Sequence, residues 1–124
     1  MNLFPKNVNF LSTERYVKGG QSINNFSNFN LALHVNDRAE NVIQNRSLLK
    51  DIYNLPGDPA WINQTHSSIC INASSAKKVT EADASYSLKP GVVCGILTAD
   101  CLPVFISKKD GKMVGIAHAG WRGL

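Results

Sequence analysis

The sequence predicts an α/β or α+β fold in which layers of mixed β-sheet are flanked by helices. Residues 37–53 place apolar side chains at helical spacing. Residues 92–98 form a continuous apolar run, which is typical of a strand buried on both faces. Residues 103–107 and 113–117 are rich in Val, Ile and Phe and flank Asp110-Gly111, a strong hairpin signal. This hairpin indicates that part of the sheet is antiparallel.

The other elements follow from turn, capping and periodicity signals. Residues 1–36 are rich in Asn and Ser, and we expect loops there with a short strand near residues 8–11. The helix is predicted to begin at Asp37 as its N-cap, with Glu40 completing a capping box. Its apolar face is predicted to comprise Val42, Ile43, Leu49, Ile52 and Tyr53. Further short strands are expected at residues 60–64 and 68–71.

The composition is that of a globular chain. Its 124 residues, 44% hydrophobic and 18% charged, fit one domain or part of a larger one. The net charge is +4, but Lys and Arg are scattered, so we expect no nucleic-acid partner and at most a weak preference for anionic small substrates. The longest apolar run falls far short of the ~18 residues of a membrane span, and no signal peptide is recognisable.

The cysteine content indicates a reducing compartment. Cys70, Cys94 and Cys101 are an odd number at low density, which argues against a disulfide framework. We therefore expect a cytoplasmic protein with free thiols. Cys70 and Cys94 are interpreted as structural, because a thiol within an apolar run behaves as a small hydrophobic group.

The hairpin register brings Cys101 and His118 together. If Asp110-Gly111 is a two-residue turn, His118 lies opposite Pro103. Cys101 is two residues from Pro103 and shares its side of the sheet. Diagonal neighbours of this kind lie about 7–8 Å apart at Cα. The two side chains are therefore predicted to meet at the open end of the hairpin.

Three interpretations of this pair are open. A thiolate and an imidazole can be two ligands of a tetrahedral zinc site, a Cys–His nucleophile pair, or a buried cysteine beside a structural histidine. Asp100, directly before Cys101, favours an active-site loop in which Cys101, His118 and Asp100 are catalytic. A zinc site needs a third ligand, and sequence spacing does not distinguish His34 from His66.

Two motifs resemble one known family. TADCLPV at residues 98–104, followed by HAGWRGL at residues 118–124, resembles the YfiH family, also known as multicopper polyphenol oxidoreductase (laccase), peptidoglycan editing factor or purine nucleoside phosphorylase. Shorter matches are ADASYS at residues 82–87, WINQTH at 61–66, NLALHVND at 30–37 and GGQS at 19–22. Family members continue beyond the second motif. The resemblance therefore implies that residues 1–124 are the N-terminal portion of a single YfiH-like domain.

The resemblance also implies a metal site formed by His66, Cys101 and His118. The implied metal is zinc, with copper as the alternative, and a fourth position is open to water or substrate. Ser67 stands where the family usually has glycine after the first ligand histidine, so this loop is expected to differ in shape. His34 is interpreted as a structural or substrate-side residue.

The activities implied by the resemblance are phosphorolysis of adenosine, inosine and methylthioadenosine, and deamination of adenosine. Asp100 would then move a proton, Arg122 would bind phosphate, and Asn30 would bind substrate. The alternatives are copper-dependent oxidation of phenols, a metal-free Cys–His hydrolase or amidase, and an inactive fragment. A multicopper centre needs several His-rich clusters, and the sequence has three histidines in all.

Overall fold

A mixed four-stranded β-sheet is the main element of the computed structural model, which describes residues 3–75 and 78–120. The chain divides into two compact units, Leu11–Pro56 and a second one made of Met1–Phe10 with Gly57–Leu124. The first unit contains a 3₁₀ helix, Asn24–Phe26, and helix α1, Ala39–Ile52. The second contains strands β1 (Cys70–Asn72), β2 (Ala84–Ser87), β3 (Leu102–Ser107) and β4 (Val114–Ala119). The predicted fold class is confirmed.

The sheet has the strand order β1-β2-β4-β3. Strands β1 and β2 are parallel, whereas β4 is antiparallel to both β2 and β3. Pro103 lies opposite His118, which confirms the predicted hairpin register. Because β4 is an interior strand, hydrogen-bonded neighbours on both sides hold the backbone that carries His118.

The connection between β3 and β4 is longer than the predicted two-residue turn. The amide of Gly111 donates to the carbonyl of Lys108 at 3.0 Å, and the amide of Lys108 donates to the carbonyl of Met113 at 3.1 Å. Of the Asp110-Gly111 pair, Gly111 alone has a positive φ, 70°, whereas a two-residue type I′ turn needs a positive φ at both positions. The predicted turn type is therefore wrong, although the strand register is right.

The apolar run over residues 92–98 is not a strand. Cys94 forms a single bridge with Ala60, and the side-chain amide of Gln64 bonds both the amide and the carbonyl of Leu97, each at 2.7 Å. Gln64 thus satisfies backbone groups that a neighbouring strand would otherwise pair. The strand expected at residues 60–64 is likewise limited to isolated bridges, and the one expected near residues 8–11 is absent from the described fold.

Helix α1 begins later than predicted: its N-cap is Arg38 rather than Asp37. The side chain of Arg38 makes no capping hydrogen bond. The carboxylate of Asp37 instead accepts hydrogen bonds from Ser22 Oγ at 2.5 Å and Asn30 Nδ2 at 3.0 Å. Hydrogen bonds within the preceding loop thus replace the expected capping box. No helix within the described residues is long and apolar enough to cross a membrane.

The buried face of α1 is partly polar. Val42 and Leu49 are buried as predicted, but Ile43 and Ile52 are exposed. Asn45 is fully buried instead, and its side chain accepts from the amide of Gln21 at 2.8 Å and donates to Ser22 Oγ at 2.9 Å. The predicted apolar face is therefore wrong at two positions. The Asn-rich loops require a polar anchor on the helix, because buried backbone and side-chain groups must be hydrogen-bonded.

Candidate metal centre

His66, Cys101 and His118 converge at one end of the β3–β4 hairpin. One ligand atom from each residue lies within 4.8 Å of the other two. The ring centroids of His66 and His118 are 5.0 Å apart, with the rings edge to face. His66 is exposed and Cys101 is half-buried, whereas the side chain of His118 is almost fully buried. The group thus combines two imidazoles and one thiol, with one side open to solvent.

Cys101 and His118 owe their positions to the hairpin. Cys101 immediately precedes β3, and His118 is the fifth residue of β4. The pairing of Pro103 with His118 sets Cys101 diagonally across from the histidine, as the sequence pattern predicts. A one-residue slip of register would place the two side chains on opposite faces of the sheet.

His66 reaches the group from a loop with unusual backbone geometry. Its φ is +60°, in the left-handed region that side chains other than glycine rarely adopt. It also lies against Gly120, where an added Cβ would stand 2.6 Å from His66 Cδ2. A glycine at position 120 is therefore needed for the imidazole to occupy this place.

A buried carboxylate connects the loop of His66 to strand β4. Oδ1 of Asp83 accepts hydrogen bonds from the Thr65 amide at 3.1 Å, the Ser67 amide at 2.6 Å and Ser67 Oγ at 2.8 Å. Oδ2 accepts from the His66 amide at 3.2 Å and lies 2.8 Å from Nδ1 of His118. Asp83 is 3% exposed, so its carboxylate is almost completely shielded from solvent.

The surroundings of Asp83 favour its ionised form. Burial alone would raise the pKa of this carboxyl group, but hydrogen bonds from His118, Ser67 and Thr65 outweigh burial and lower the pKa to about 2. The backbone carbonyl of Asp83 also accepts from the amide of His118 at 2.7 Å. Side chain and backbone of Asp83 thus both hold His118.

Asp83 is the residue of the site that sequence reasoning missed. It lies in the ADASYS match, immediately before β2, but has no predicted role there. The pairing of Ala84 with Ala117 brings it beside His118. Because that pairing joins strands about thirty residues apart, local pattern does not reveal it; an acidic residue directly before a strand is the sole sequence signal.

The remaining predicted site residues lie outside this group or outside the described part of the chain. Asp100 is exposed and precedes Cys101. Asn30 belongs to the Leu11–Pro56 unit, where its side chain bonds Ala32 and Asp37, and His34 belongs to the same unit. Arg122 lies outside the described residues. The roles of these four residues, which are Asp100, Asn30, His34 and Arg122, stay predictions.

The donor set fits a metal ion. Two imidazoles and a thiolate are ligands that suit both zinc and copper. Ligand atoms bound to tetrahedral zinc at about 2.0–2.3 Å lie roughly 3.3–3.8 Å apart. Atoms that lie within 4.8 Å of one another therefore need to approach by no more than about 1.5 Å. A carboxylate hydrogen-bonded to the other nitrogen of a ligand histidine, as Asp83 is to His118, is characteristic of metal sites.

Comparisons with known proteins identify relatives by sequence and solved structures with a similar fold. A protein of Haemophilus influenzae named "Purine nucleoside phosphorylase" is 42% identical over 97% of this chain and 48% of its own length. "Purine nucleoside phosphorylase YfiH" of Escherichia coli is 41% identical over 97% of this chain and 49% of its own. The crystal structure of Neisseria meningitidis protein NMB0706 matches with a TM-score of 0.78 and 42% identity, covering 85% of this chain and 43% of that one.

The structure of YlmD from Geobacillus stearothermophilus matches with a TM-score of 0.77 and 29% identity, over 85% of this chain and 43% of that one. The present chain thus spans about half the length of the relatives it matches. The family model described as multi-copper polyphenol oxidoreductase laccase matches residues 10–124. The resemblance to YfiH proteins is confirmed, and the chain belongs to the multi-copper polyphenol oxidoreductase laccase family.

Proposed function

We propose that this chain supplies the metal-binding part of a zinc-dependent purine nucleoside phosphorylase. Its substrates would be phosphate and the nucleosides adenosine, inosine and methylthioadenosine, and adenosine deamination would be a second reaction. The observation that carries the proposal is the convergence of ligand atoms from His66, Cys101 and His118 within 4.8 Å. The names of the Haemophilus and Escherichia relatives support the reaction class.

Three protein ligands with one open position favour a catalytic over a structural zinc site, because structural sites are usually closed by four protein ligands. When bound, zinc supplies a Lewis acid and lowers the pKa of water in its open position. His66, Cys101 and His118 would hold the ion, and the hydrogen bond from Asp83 would orient the His118 ring. The exposed side of His66 leaves an approach for substrate.

The remaining roles in phosphorolysis fall to three further residues. A phosphate oxygen attacks C1′ of the ribose, the C1′–N9 bond breaks, and the leaving purine takes up a proton. Asp100, exposed and next to Cys101, is proposed to supply that proton. Arg122 is proposed to bind the incoming phosphate, because its guanidinium offers two parallel donors. Asn30 stays proposed on the substrate side.

The test combines metal analysis with phosphate-dependent release of base from adenosine and inosine. In a full-length context, the wild-type protein is expected to carry about one zinc per chain and to release adenine and hypoxanthine only with phosphate present. His66→Ala and Cys101→Ala are expected to lose zinc and turnover. Cys94→Ala is the matched control and should retain both, and His34→Ala should retain zinc. Full zinc content in His66→Ala, with loss in His34→Ala, would transfer the third ligand to His34.

Deamination is tested separately, because it consumes water rather than phosphate. Adenosine incubated without phosphate is expected to yield inosine and ammonia in a zinc-dependent manner. Absence of inosine while phosphorolysis proceeds would remove deamination from the proposal and leave the rest unaffected.

The description of the matching family favours a second candidate, copper-dependent oxidation of phenols. The three histidines of the sequence are too few for the several His-rich clusters of a multicopper centre. Oxygen dependence decides the question, since phosphorolysis proceeds equally in air and under nitrogen. A metal-free Cys–His hydrolase is separated by a chelator, which would spare that activity and abolish the zinc-dependent one.

A further inference from the structure

We propose that Asp83 is a positioning residue that fixes His118 in the tautomer with Nε2 free for a metal ion and holds the His66 loop in its ligand-presenting conformation. The ligand set is thereby arranged before any metal binds. This inference rests on the metal site of the proposed function. Asp83 is neither one of the three proposed ligands nor Asp100. The observations that support its role are the hydrogen bonds that its carboxylate makes.

The tautomer of His118 follows from the number of donors around Asp83. Four donors other than the histidine point at the carboxylate: the amides of Thr65, His66 and Ser67, and the Ser67 hydroxyl. A proton on either carboxylate oxygen would face these donors, so the group acts as an acceptor only. Nδ1 of His118, 2.8 Å from Oδ2, must therefore carry a proton. In the neutral ring Nε2 is then the unprotonated nitrogen that binds a metal.

The same carboxylate stabilises the strained loop. Three consecutive amides, those of residues 65–67, donate to it, and His66 in their middle has a φ of +60°. A residue other than glycine adopts this conformation only at an energetic cost. Hydrogen bonds to a charged acceptor are stronger than those to a neutral one and offset that cost. Ser67, where the family pattern has glycine, adds a side-chain donor to the same oxygen.

Asp83→Asn separates positioning from packing, because the amide has nearly the same shape. An amide has one acceptor and one donor group in place of two acceptors. With its oxygen in the Oδ1 place, it keeps the bonds from Thr65 and Ser67. Its nitrogen then donates toward Nδ1 of His118, which forces the proton onto Nε2. The opposite orientation loses three donors to Oδ1 and is disfavoured.

The first measurement is the His118 tautomer in the metal-free wild-type protein, read from long-range ¹H–¹⁵N correlations of the neutral ring. Nδ1 is expected to be protonated in the wild type, and Nε2 in Asp83→Asn. A wild-type ring protonated on Nε2 overturns the proposal. This measurement stands even if the variant does not fold.

The second measurement is zinc affinity, by competition with a chromophoric chelator. Asp83→Asn is expected to bind zinc about 10–100-fold more weakly, as is usual when such an outer partner is removed. Asp37→Asn is the matched control, because it makes the same change of carboxylate to amide at the hydrogen-bonded acid of the Leu11–Pro56 unit; it should change affinity by less than about threefold. Equal losses in both variants, with an unchanged tautomer, would reduce Asp83 to a structural residue and overturn the proposal.

The outcomes also separate this inference from the proposed function. A wild-type protein that binds no zinc overturns the zinc site, and the inference with it. Wild-type zinc binding and nucleoside turnover, together with unchanged affinity in Asp83→Asn, overturn the role of Asp83 alone.

Discussion

Among the three proposed ligands, His66 depends most on its surroundings. Its backbone is held in a left-handed conformation, and its ring lies where Gly120 leaves space. Cys101 and His118, by contrast, are placed by the regular pairing of β3 with β4. Changes near His66 are therefore expected to alter metal binding with little effect on the sheet.

Gly120→Ala tests this dependence. The new Cβ would stand 2.6 Å from Cδ2 of His66, so the imidazole must move away. We expect zinc affinity to fall about tenfold or more, since ligand geometry tolerates displacements of only about 0.5 Å. Chelator competition measures the affinity, and thermal unfolding checks the fold.

The control for Gly120→Ala is Gly57→Ala. A Cβ at Gly57 would meet its nearest neighbour, the Gly91 carbonyl, at an ordinary 3.8 Å, and its φ is not positive. It should leave zinc affinity unchanged. Equal affinities in the two variants would show that His66 has more freedom than the contact with Gly120 implies.

The three proposed ligands are predictable from sequence to different degrees. The meeting of Cys101 with His118 follows from a local hairpin, in which register propagates from one turn. His66 came from family resemblance alone, because no strand pairing ties its loop to β4 in the sequence pattern. The contact of Asp83 with His118 depends on the pairing of β2 with β4, which is long-range and leaves no periodic signal.

Among the elements, residues 92–98 show why an apolar run is an ambiguous signal. Periodicity alone does not distinguish a buried strand from other buried chain. Here the side chain of Gln64 bonds Leu97, and Gly95 lies against Pro59 and Trp61, with a Cβ there 3.1 Å from Pro59. These contacts hold the run in place without a strand ladder. Side-chain hydrogen bonds of this kind are invisible to a pattern of apolar residues.

Helix α1 was predicted in type and approximate extent, but its first residue and its buried face were partly wrong. Asp37 does accept hydrogen bonds, as an N-cap carboxylate would, but its donors are the side chains of Ser22 and Asn30 in the preceding loop. The burial of Asn45 follows from loops that precede the helix in the chain. Helical periodicity carries no information about such partners.

Gln64→Ala is the prediction at the scale of elements. It removes two hydrogen bonds of 2.7 Å and leaves the amide and carbonyl of Leu97 without these partners. We expect the free energy of unfolding in urea to fall by about 1–3 kcal/mol, and the Leu97 amide to exchange faster with solvent. Gln44→Ala, at an exposed position of α1, is the control and should change stability by less than about 0.5 kcal/mol. Unchanged exchange at Leu97 would contradict the bridging role of Gln64.

At the scale of the whole molecule, each compact unit contains a carboxylate that serves as a hydrogen-bond centre. In the sheet unit Asp83 accepts from the His66 loop and β4. In the Leu11–Pro56 unit Asp37 accepts from Ser22, Asn30 and the amide of Arg38. Burial opposes the charge at both sites, but these hydrogen bonds lower the pKa of both groups. Folding therefore strengthens both acids.

This arrangement predicts that the protein loses stability in acid. A carboxyl group whose pKa is lower in the folded than in the unfolded state contributes stability that is complete above the unfolded value and is lost as the pH falls through the folded value. For Asp83 the window runs from near 3.8 down to about 2. Its contribution corresponds to about 2 kcal/mol at neutral pH, since each pKa unit is worth 1.36 kcal/mol. The free energy of unfolding in urea should therefore decline steadily from pH 5 to pH 2.5.

Asp83→Asn cannot titrate, so its curve should start lower at pH 7 and decline less steeply below pH 4. Asp37→Asn is the matched variant in the other unit and should also flatten the curve. A wild-type stability that stays constant down to pH 2.5, or an Asp83→Asn curve parallel to that of the wild type, would contradict the role of Asp83 as an ionised hydrogen-bond centre.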